Sequence, residues 1–489
     1  MAKLLLLQQR FERMVQDAPR YELPPNSAWN LVDYIPGLDA HLRKRGGWSY
    51  ASDDISAIAS GATYVNAVAF APFIAAAKLC AMTDNSKFVT VNITTKAVTL
   101  VSASGITTLQ TPVFHSDKLI ITATNGTTAP KYYDGTTFGN LAGTPPPGKY
   151  AAVWKDMTVL SNTSANPTKN YFSKIADPTT WDTTNGWVST LAPPSGLAAL
   201  PNALLIFQEN ACGRIRGSSA PSATDAGDFV LDDPIFTVGC TDARSIAVNG
   251  HYCVFANPNG VYLSNGTNIP EDLTEACGIK RYWNSVFSSY SRSTWTIAGG
   301  FYRGMYYVSI MNGVTFQDAF CFDVQGRKAW RLSNLKMIGF SPGVAIDEEL
   351  FMAYRADDRV LSLSSIYSPA SGVKNDANGT AVTPLLETPF YLDPRSGKKT
   401  WKSIYVTYDM RDAATDNPAI TVAYIKTVDG SYTNLSPTLA ETTDFARERR
   451  YVRLPAHGLG LKLTQANASS DTRIVAVAAD VHTREDSRL

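Results

Sequence analysis

Glycine-containing turn dipeptides are the feature of this sequence that most restricts its fold. Asn-Gly occurs at Asn125, Asn185, Asn249, Asn259, Asn265, Asn312 and Asn378, and Asp-Gly at Asp134 and Asp429. Such pairs favour the positive φ angles of type I′ hairpins, whose twist matches that of the flanking strands. Between them lie short runs of β-branched and aromatic residues, among them KLIITAT at 118–124, MTVLS at 157–161, ALLIFQ at 203–208 and MYYVSIM at 305–311. Short alternating strands closed by turn residues at short intervals specify an all-β chain.

The strands recur with a period. Seven stretches read as strand, turn, strand: 68–102, 113–138, 152–181, 197–217, 245–266, 301–330 and 344–364. Their starts lie about 40–55 residues apart, the spacing of four-stranded propeller blades. One such sheet cannot bury both faces by itself, so a ring of sheets is the stable solution. The sequence therefore predicts a β-propeller over 48–368, with seven blades fitting better than six. A stack of several sandwiches is the competing reading.

The two ends differ from the middle. Leu4, Leu7, Phe11, Met14 and Val15 follow a helical period, and Pro19, Pro24 and Pro25 then forbid its continuation. Residues 1–47 are accordingly expected to be an arm, helical first and extended after. Residues 369–380, rich in Ser, Gly, Asn and Asp, read as a linker. In 381–489, strands at 403–410, 419–426, 451–454, 460–464 and 473–482 suffice for a C-terminal β-sandwich.

Charge narrows the function. With 44 Lys+Arg against 43 Asp+Glu the formal charge is +1, and only 18% of residues are charged. A dedicated polyanion binder would carry a strong basic excess. The start holds only four consecutive leucines, too few for a secretory signal, and the apolar window 67–80 is broken by Pro72 and Lys78. A soluble chain made in the cytosol is expected. The six cysteines form no Cys-x-x-Cys pair and read as free buried thiols.

The sequence carries no recognisable catalytic or metal-binding pattern. The five histidines show neither zinc spacing nor a His-x-x-x-His pair, and neither a Gly-x-Ser-x-Gly elbow nor a phosphate loop occurs. Asp225, Asp228, Asp232 and Asp233 are hard-cation ligands by type but lack the spacing of a calcium loop, so a solvated loop is expected. The 427–433 segment resembles the Asp-box turn of sialidases and reads as a hairpin turn. Neither enzyme activity nor a cofactor is expected. Two basic runs remain as docking candidates against ordinary solvated faces. One is Arg43, Lys44 and Arg45. The other is Arg447, Arg449, Arg450 and Arg453, where strand alternation puts Arg450 on the side opposite to the rest.

Several segments together resemble bacteriophage tail proteins built on propellers. They are Pro25-Asn26-Ser27-Ala28-Trp29-Asn30-Leu31-Val32-Asp33-Tyr34-Ile35-Pro36-Gly37, followed by Leu42-Arg43-Lys44-Arg45-Gly46-Gly47-Trp48, and then Gly148-Lys149-Tyr150 with Tyr171-Phe172-Ser173 and Asp177-Pro178 before Trp181. Gly239-Cys240, with Asp242 and Arg244 to Val248, and Asn259-Gly260-Val261-Tyr262-Leu263-Ser264-Asn265-Gly266 complete the set. The resemblance spans nearly the whole chain, and the 1–25 arm departs from it. It implies a virion structural protein: the hub or nozzle ring of a short phage tail, made in the bacterial host cytoplasm. Such a ring is a homo-hexamer below the portal and its adaptor. It encloses the DNA exit channel without binding genomic DNA specifically, and it supports fibres or receptor-binding proteins. Leu4, Leu7, Phe11 and Met14 of the arm, with Arg43–Arg45, are the expected docking residues on the adaptor or a neighbouring copy. The alternative is a secreted carbohydrate-binding or glycan-active propeller.

Overall fold

The computed structural model describes residues 2–8, 10–36, 41–103, 112–267, 269–291, 293–341, 350–355, 357–363, 366, 376, 380–392, 399–411, 419–440, 446–465 and 471–483. Strands make up 52% of the chain and helix 4%, so the protein is β throughout, in many small antiparallel sheets. Among the described residues no helix is long and apolar enough to cross a membrane.

Seven small sheets follow one another along the chain. The first six repeated stretches each fall on one of them, and of the seventh, 344–364, the described residues 350–355 and 357–363 fall on the last, which opens earlier, at Met337. The first holds Val65–Ala71, Lys78–Thr83, Phe88–Val91 and Val98–Ser102, paired in order as a meander. The second to sixth sheets open with Val113–His115, Tyr150–Trp154, Gly196–Leu200, Ala247–Asn249 and Trp295–Tyr302. The seventh contains Met337–Phe340, Phe351–Tyr354 and Val360–Ser362, and its fourth strand comes from the other end of the chain, Ser49–Tyr50. The opening strands of the second to seventh sheets neighbour one another in sequence order, and that of the seventh neighbours that of the first. The first and second sheets share a core of Ala67, Ala69, Ala71, Leu119, Ile121 and Tyr133. Aliphatic strand faces are thus covered by the next sheet, which is how sheets too small to stand alone become stable.

Two helices, Leu273–Ala276 and Lys280–Val286, link the fifth and sixth sheets. Asp272 caps the first by accepting the Thr274 and Glu275 N–H groups. Asp17 of the arm accepts the Lys280 N–H (2.9 Å) and the Arg281 N–H (2.8 Å), so a distant residue starts the second.

The turns work differently from the type I′ expectation. Positive φ at two successive residues occurs in the hairpin turns Ser116-Asp117, Lys155-Asp156 and Arg303-Gly304, and also at Gly143-Thr144 between the second and third sheets. At Asn125-Gly126, Asn249-Gly250 and Asn312-Gly313 only the glycine is positive. The physical reason shows at Asn125, whose Oδ1 accepts the N–H groups of Thr127 (3.0 Å) and Thr128 (3.1 Å). That side-chain turn holds the asparagine itself in an ordinary conformation. Asn378 lies outside the described residues.

The C-terminal part joins the sixth sheet through the N-terminal segment. Asn30–Val32 pairs in parallel with Lys328–Arg331 and antiparallel with Leu385–Leu392. One nine-stranded sheet therefore runs from the sixth sheet through Leu385–Leu392, Gly458–Gln465 and Ile420–Ile425 to Thr433–Asn434. The 427–433 segment is the turn before that last strand, where the Gly430 N–H donates to the Thr427 carbonyl. A second sheet, in the order Ala446–Ala456, Lys399–Arg411, Asp471–Thr483, Leu42–Lys44, Tyr34–Pro36, lies against the first. Ile404, Val406, Tyr408 and Met410 of this sheet share a core with Val422, Leu461 and Leu463 of the other. All six cysteines are free and buried, as the sequence implied.

The arm corrects the sequence reading. It contains no helix among its described residues: Ala2–Gln8 is a strand, antiparallel to Asp471–Thr483. An isolated helix of about 12 residues is marginal in water, whereas a strand laid on an existing edge gains a partner for its backbone groups. Phe11 (1% exposed) and Met14 (fully buried) lie in the main core with Trp283, Trp330 and Leu386. They are covered by the chain itself and are no free docking face. Of the linker expected at 369–380, Asp376 and Thr380 alone are described.

Candidate interaction surface and inner cavity

Strand Ala446–Ala456 ends its sheet, and its sequence ARERRYVRLPA alternates. Arg447, Arg449, Tyr451 and Arg453 are exposed, while Arg450 points inward and is buried. Arg450 donates to the carbonyls of Pro437 (2.7 Å) and Thr438 (2.8 Å) and pairs with Glu448 (2.7 Å). It therefore pins a loop and belongs to the scaffold. Arg447 and Arg449 meet Tyr405 of the neighbouring strand, which lies directly opposite Arg449. The Arg447 guanidinium lies 4.8 Å from the Tyr405 ring, and that of Arg449 lies 5.6 Å from Tyr405 and 4.5 Å from Tyr451. Arg449 also donates from Nε to Ser403 (2.7 Å) and pairs with Asp480 at 3.3 Å. The Tyr405 hydroxyl donates to Asp480 (2.8 Å), and that hydrogen bond, with some desolvation, raises its pKa. Chemically this is an exposed row of three arginines along one strand, of which Arg447 and Arg449 are held by Tyr405 and Tyr451, while Arg453 follows at a bulge with a φ of +47°.

The other basic run is placed differently. Arg45 is fully buried, its Nε donating to Asp33 (2.6 Å) and its Nη1 to Asp376 (2.8 Å). Further donations reach the Gly46 carbonyl (3.0 Å) and the Ser333 carbonyl (3.1 Å), and the guanidinium lies 3.9 Å from the Trp48 ring centre. Lys44 is also buried, and Arg43 is a half-buried member of the second sheet, opposite Arg473. The expectation that Arg43–Arg45 forms a docking run is corrected: Lys44 and Arg45 are interior, and Arg45 ties the N-terminal segment to Ser333, in the connection between the sixth and seventh sheets, and to Asp376. Leu4 pairs through its backbone with Asp480, and Leu7 packs at the edge of the main core.

A cavity of about 530 Å³ lies where the opening strands converge. Val113, Ala152, Leu197, Val248 and Phe301 line it with Arg244. Arg244 is held on both oxygens of Asp242 (2.9 and 2.8 Å) and reaches Thr296 Oγ1 at 3.3 Å. Burial works against this guanidinium, but Asp242 outweighs it and leaves its pKa raised. The pair is neutral overall, so the cavity wall carries little net charge. Glycines make the convergence feasible: a Cβ on Gly299 would collide with the Tyr306 hydroxyl, and one on Gly196 with Ile246.

The acidic stretch is dispersed. Asp228 accepts the Ser218 and Ser219 N–H groups (2.6 Å each), Asp232 pairs with Arg214 (2.7 Å), and Asp233 accepts from Gln208 (2.9 Å). Each carboxylate has its own donors, and among the described residues no group of three or more His, Cys, Asp or Glu is placed to hold a metal. His115 is buried, with Nδ1 2.7 Å from Thr158 Oγ1 and Nε2 3.1 Å from Asp156. Tyr405, Ser403 and Asp480 were missed as parts of the arginine surface because they come from other strands; only register brings them together. The Arg244–Asp242 pair was visible as a motif, but nothing in its spacing placed it beside a cavity.

Neither a family model nor a curated relative matches the chain. Among solved structures, the crystal structure of the computationally designed Ika8 protein is similar over 64% of this chain and 99% of its own, at 11% identity and a TM-score of 0.38. A likeness of that size bears on neither fold nor function.

Proposed function

We propose that this chain is a virion structural protein, the hub or nozzle subunit of a short phage tail, with its seven small sheets as blades of a seven-bladed propeller and its C-terminal part as a β-sandwich. The carrying observation is the order of parts. An N-terminal segment runs into seven successive small sheets, then into a strand-rich module with an arginine edge strand. That order is the one expected from the resemblance. The blade reading is supported by the neighbouring of the opening strands and by Ser49–Tyr50 completing the seventh sheet, which joins the two ends of the ring non-covalently. The sandwich reading is supported by the shared core of the two C-terminal sheets. In this role the protein acts by assembly, six copies enclosing the DNA exit channel beneath the portal and adaptor and carrying fibres, and it has no catalytic function.

The test is quantitative mass spectrometry of purified particles released by cells carrying the gene. Six copies of the chain in each particle support the proposal; particles complete without the chain overturn it. The alternative of a glycan-binding propeller has the inner cavity in its favour, since pockets of about 300–1,000 Å³ suit small ligands. Saturable binding on a glycan array, lost in Arg244→Ala, would favour that alternative.

A further inference from the structure

The arginine edge has the form of a docking site for a particular kind of partner. We propose that Ala446–Ala456 receives an extended acidic segment of another protein, which adds to the sheet as a further strand and sets carboxylates against Arg447, Arg449 and Arg453. The inference names the chemistry of a partner and stands independently of the tail-hub reading.

Three observations support it. First, the strand ends its sheet, so one side of its backbone lies outside the ladder formed by the described residues, and unpaired strand edges accept a further strand readily. Second, alternate residues of a strand repeat every ~6.8 Å, and an added strand repeats its own side chains at the same interval. Acidic residues at every second position then meet Arg447 and Arg449 in register, while Arg453 lies beyond a bulge at 452–453, where its own φ is +47°. Third, the guanidinium groups of Arg447 and Arg449 are already ordered by Tyr405 and Tyr451. Arg447 held in this way presents a planar fork suited to carboxylates with less entropy left to lose, whereas in Arg449 the Nε and one terminal nitrogen already donate to Ser403 and Asp480.

Other occupants fit less well. A second copy would bring the same arginines against these, and like charge on edge strands opposes such pairing. Single-stranded nucleic acid needs open aromatic faces for stacking and a broad basic field. Here Tyr405 is flanked by two guanidinium groups, Asp480 lies within the patch, and the whole chain carries a formal charge of only +1.

The test is fluorescence anisotropy on the full chain with a labelled peptide of alternating Glu and Thr, twelve residues long. Its companions are the same peptide N-methylated at alternate amides, an alternating Lys-Thr peptide, and an oligothymidylate. The Glu-Thr peptide should bind, N-methylation and the triple change Arg447→Glu, Arg449→Glu, Arg453→Glu should each weaken it at least about tenfold, and the Lys-Thr peptide should not bind. The corresponding triple change to Lys should weaken binding severalfold, since charge is kept but the planar fork is lost. The proposal is overturned if the acidic peptide fails to bind or the N-methylated peptide binds as well as its parent. It is equally overturned if oligothymidylate binds more tightly than the peptide, or if mass photometry shows a dimer that the Glu variant abolishes. The peptide comparisons use the unaltered chain and decide the matter even if the Glu variant is poorly folded.

Discussion

Replacing Arg45 by Met tests whether the buried charge cluster joins the two ends of the chain. The substitution preserves bulk but strands Asp33 and Asp376, which Arg45 holds at 2.6 and 2.8 Å in the interior. Ser333 and Asn334 still donate to these carboxylates, which limits the damage. Breaking a buried pair by removing one partner costs about 3–5 kcal/mol. At about 2.1 cal/mol/K of unfolding entropy per residue, the 489 residues unfolding together imply a fall in Tm of about 3–5 °C. Scanning calorimetry at pH 7 measures it. Burial raises the Asp376 pKa while Arg45 opposes the rise, and without Arg45 the folded state binds that proton still more tightly than the unfolded chain. Stability of the variant is then lost as pH rises between the unfolded and folded pKa values of Asp376, and regained as pH falls through that interval. The deficit against wild type should be smaller at pH 5 than at pH 8. Adding Asp33→Asn and Asp376→Asn should recover much of the loss, because no buried charge then lacks its partner. A drop below about 1 °C for Arg45→Met, or a triple variant no better than the single one, refutes the argument.

Three further outcomes follow from burial. Phe11→Ala should cost about 3–5 kcal/mol, because Phe11 sits in the main core, whereas Leu6→Gln on the exposed side of the first strand should change stability by no more than about 0.5 kcal/mol; equal effects in urea titrations would contradict the interior placement of the arm. Gly299→Ala should destabilise by about 1–3 kcal/mol through its collision with Tyr306, and an unchanged urea midpoint would show that the strands there are not so close. The native protein should resist a thiol reagent at pH 8, since all six thiols are buried and burial raises that of Cys277 to about 12; rapid modification of even one before unfolding would refute that packing.

Much of the fold was legible because it is local. The runs at 157–161 and 203–208 became Met157–Ser161 and Ala203–Phe207, and all five C-terminal runs became strands. Even the alternation of Arg447, Arg449 and Tyr451 against Arg450 was readable, since side chains on a strand alternate wherever the strand lies. The two short helices escaped notice because neither is long enough to show a period, and the second is begun by Asp17, more than 260 residues away in sequence.

Partnership was decided only in three dimensions. Leu4, Leu7, Phe11 and Met14 fit a helical period, yet the open edge of Asp471–Thr483 drew the backbone of Leu4 and Leu7 into a strand, and the core beneath took in Phe11 and Met14. Arg43-Lys44-Arg45 and the run from Arg447 to Arg453 look alike as clusters of positive charge. One is largely interior because Asp33 and Asp376 converge on Arg45 from different parts of the chain, and the other is a surface because its strand ends a sheet. Local sequence determines which way a side chain points relative to its own backbone. Whether that direction leads to solvent, to a carboxylate or to another sheet depends on segments hundreds of residues away, and only the assembled chain supplies them.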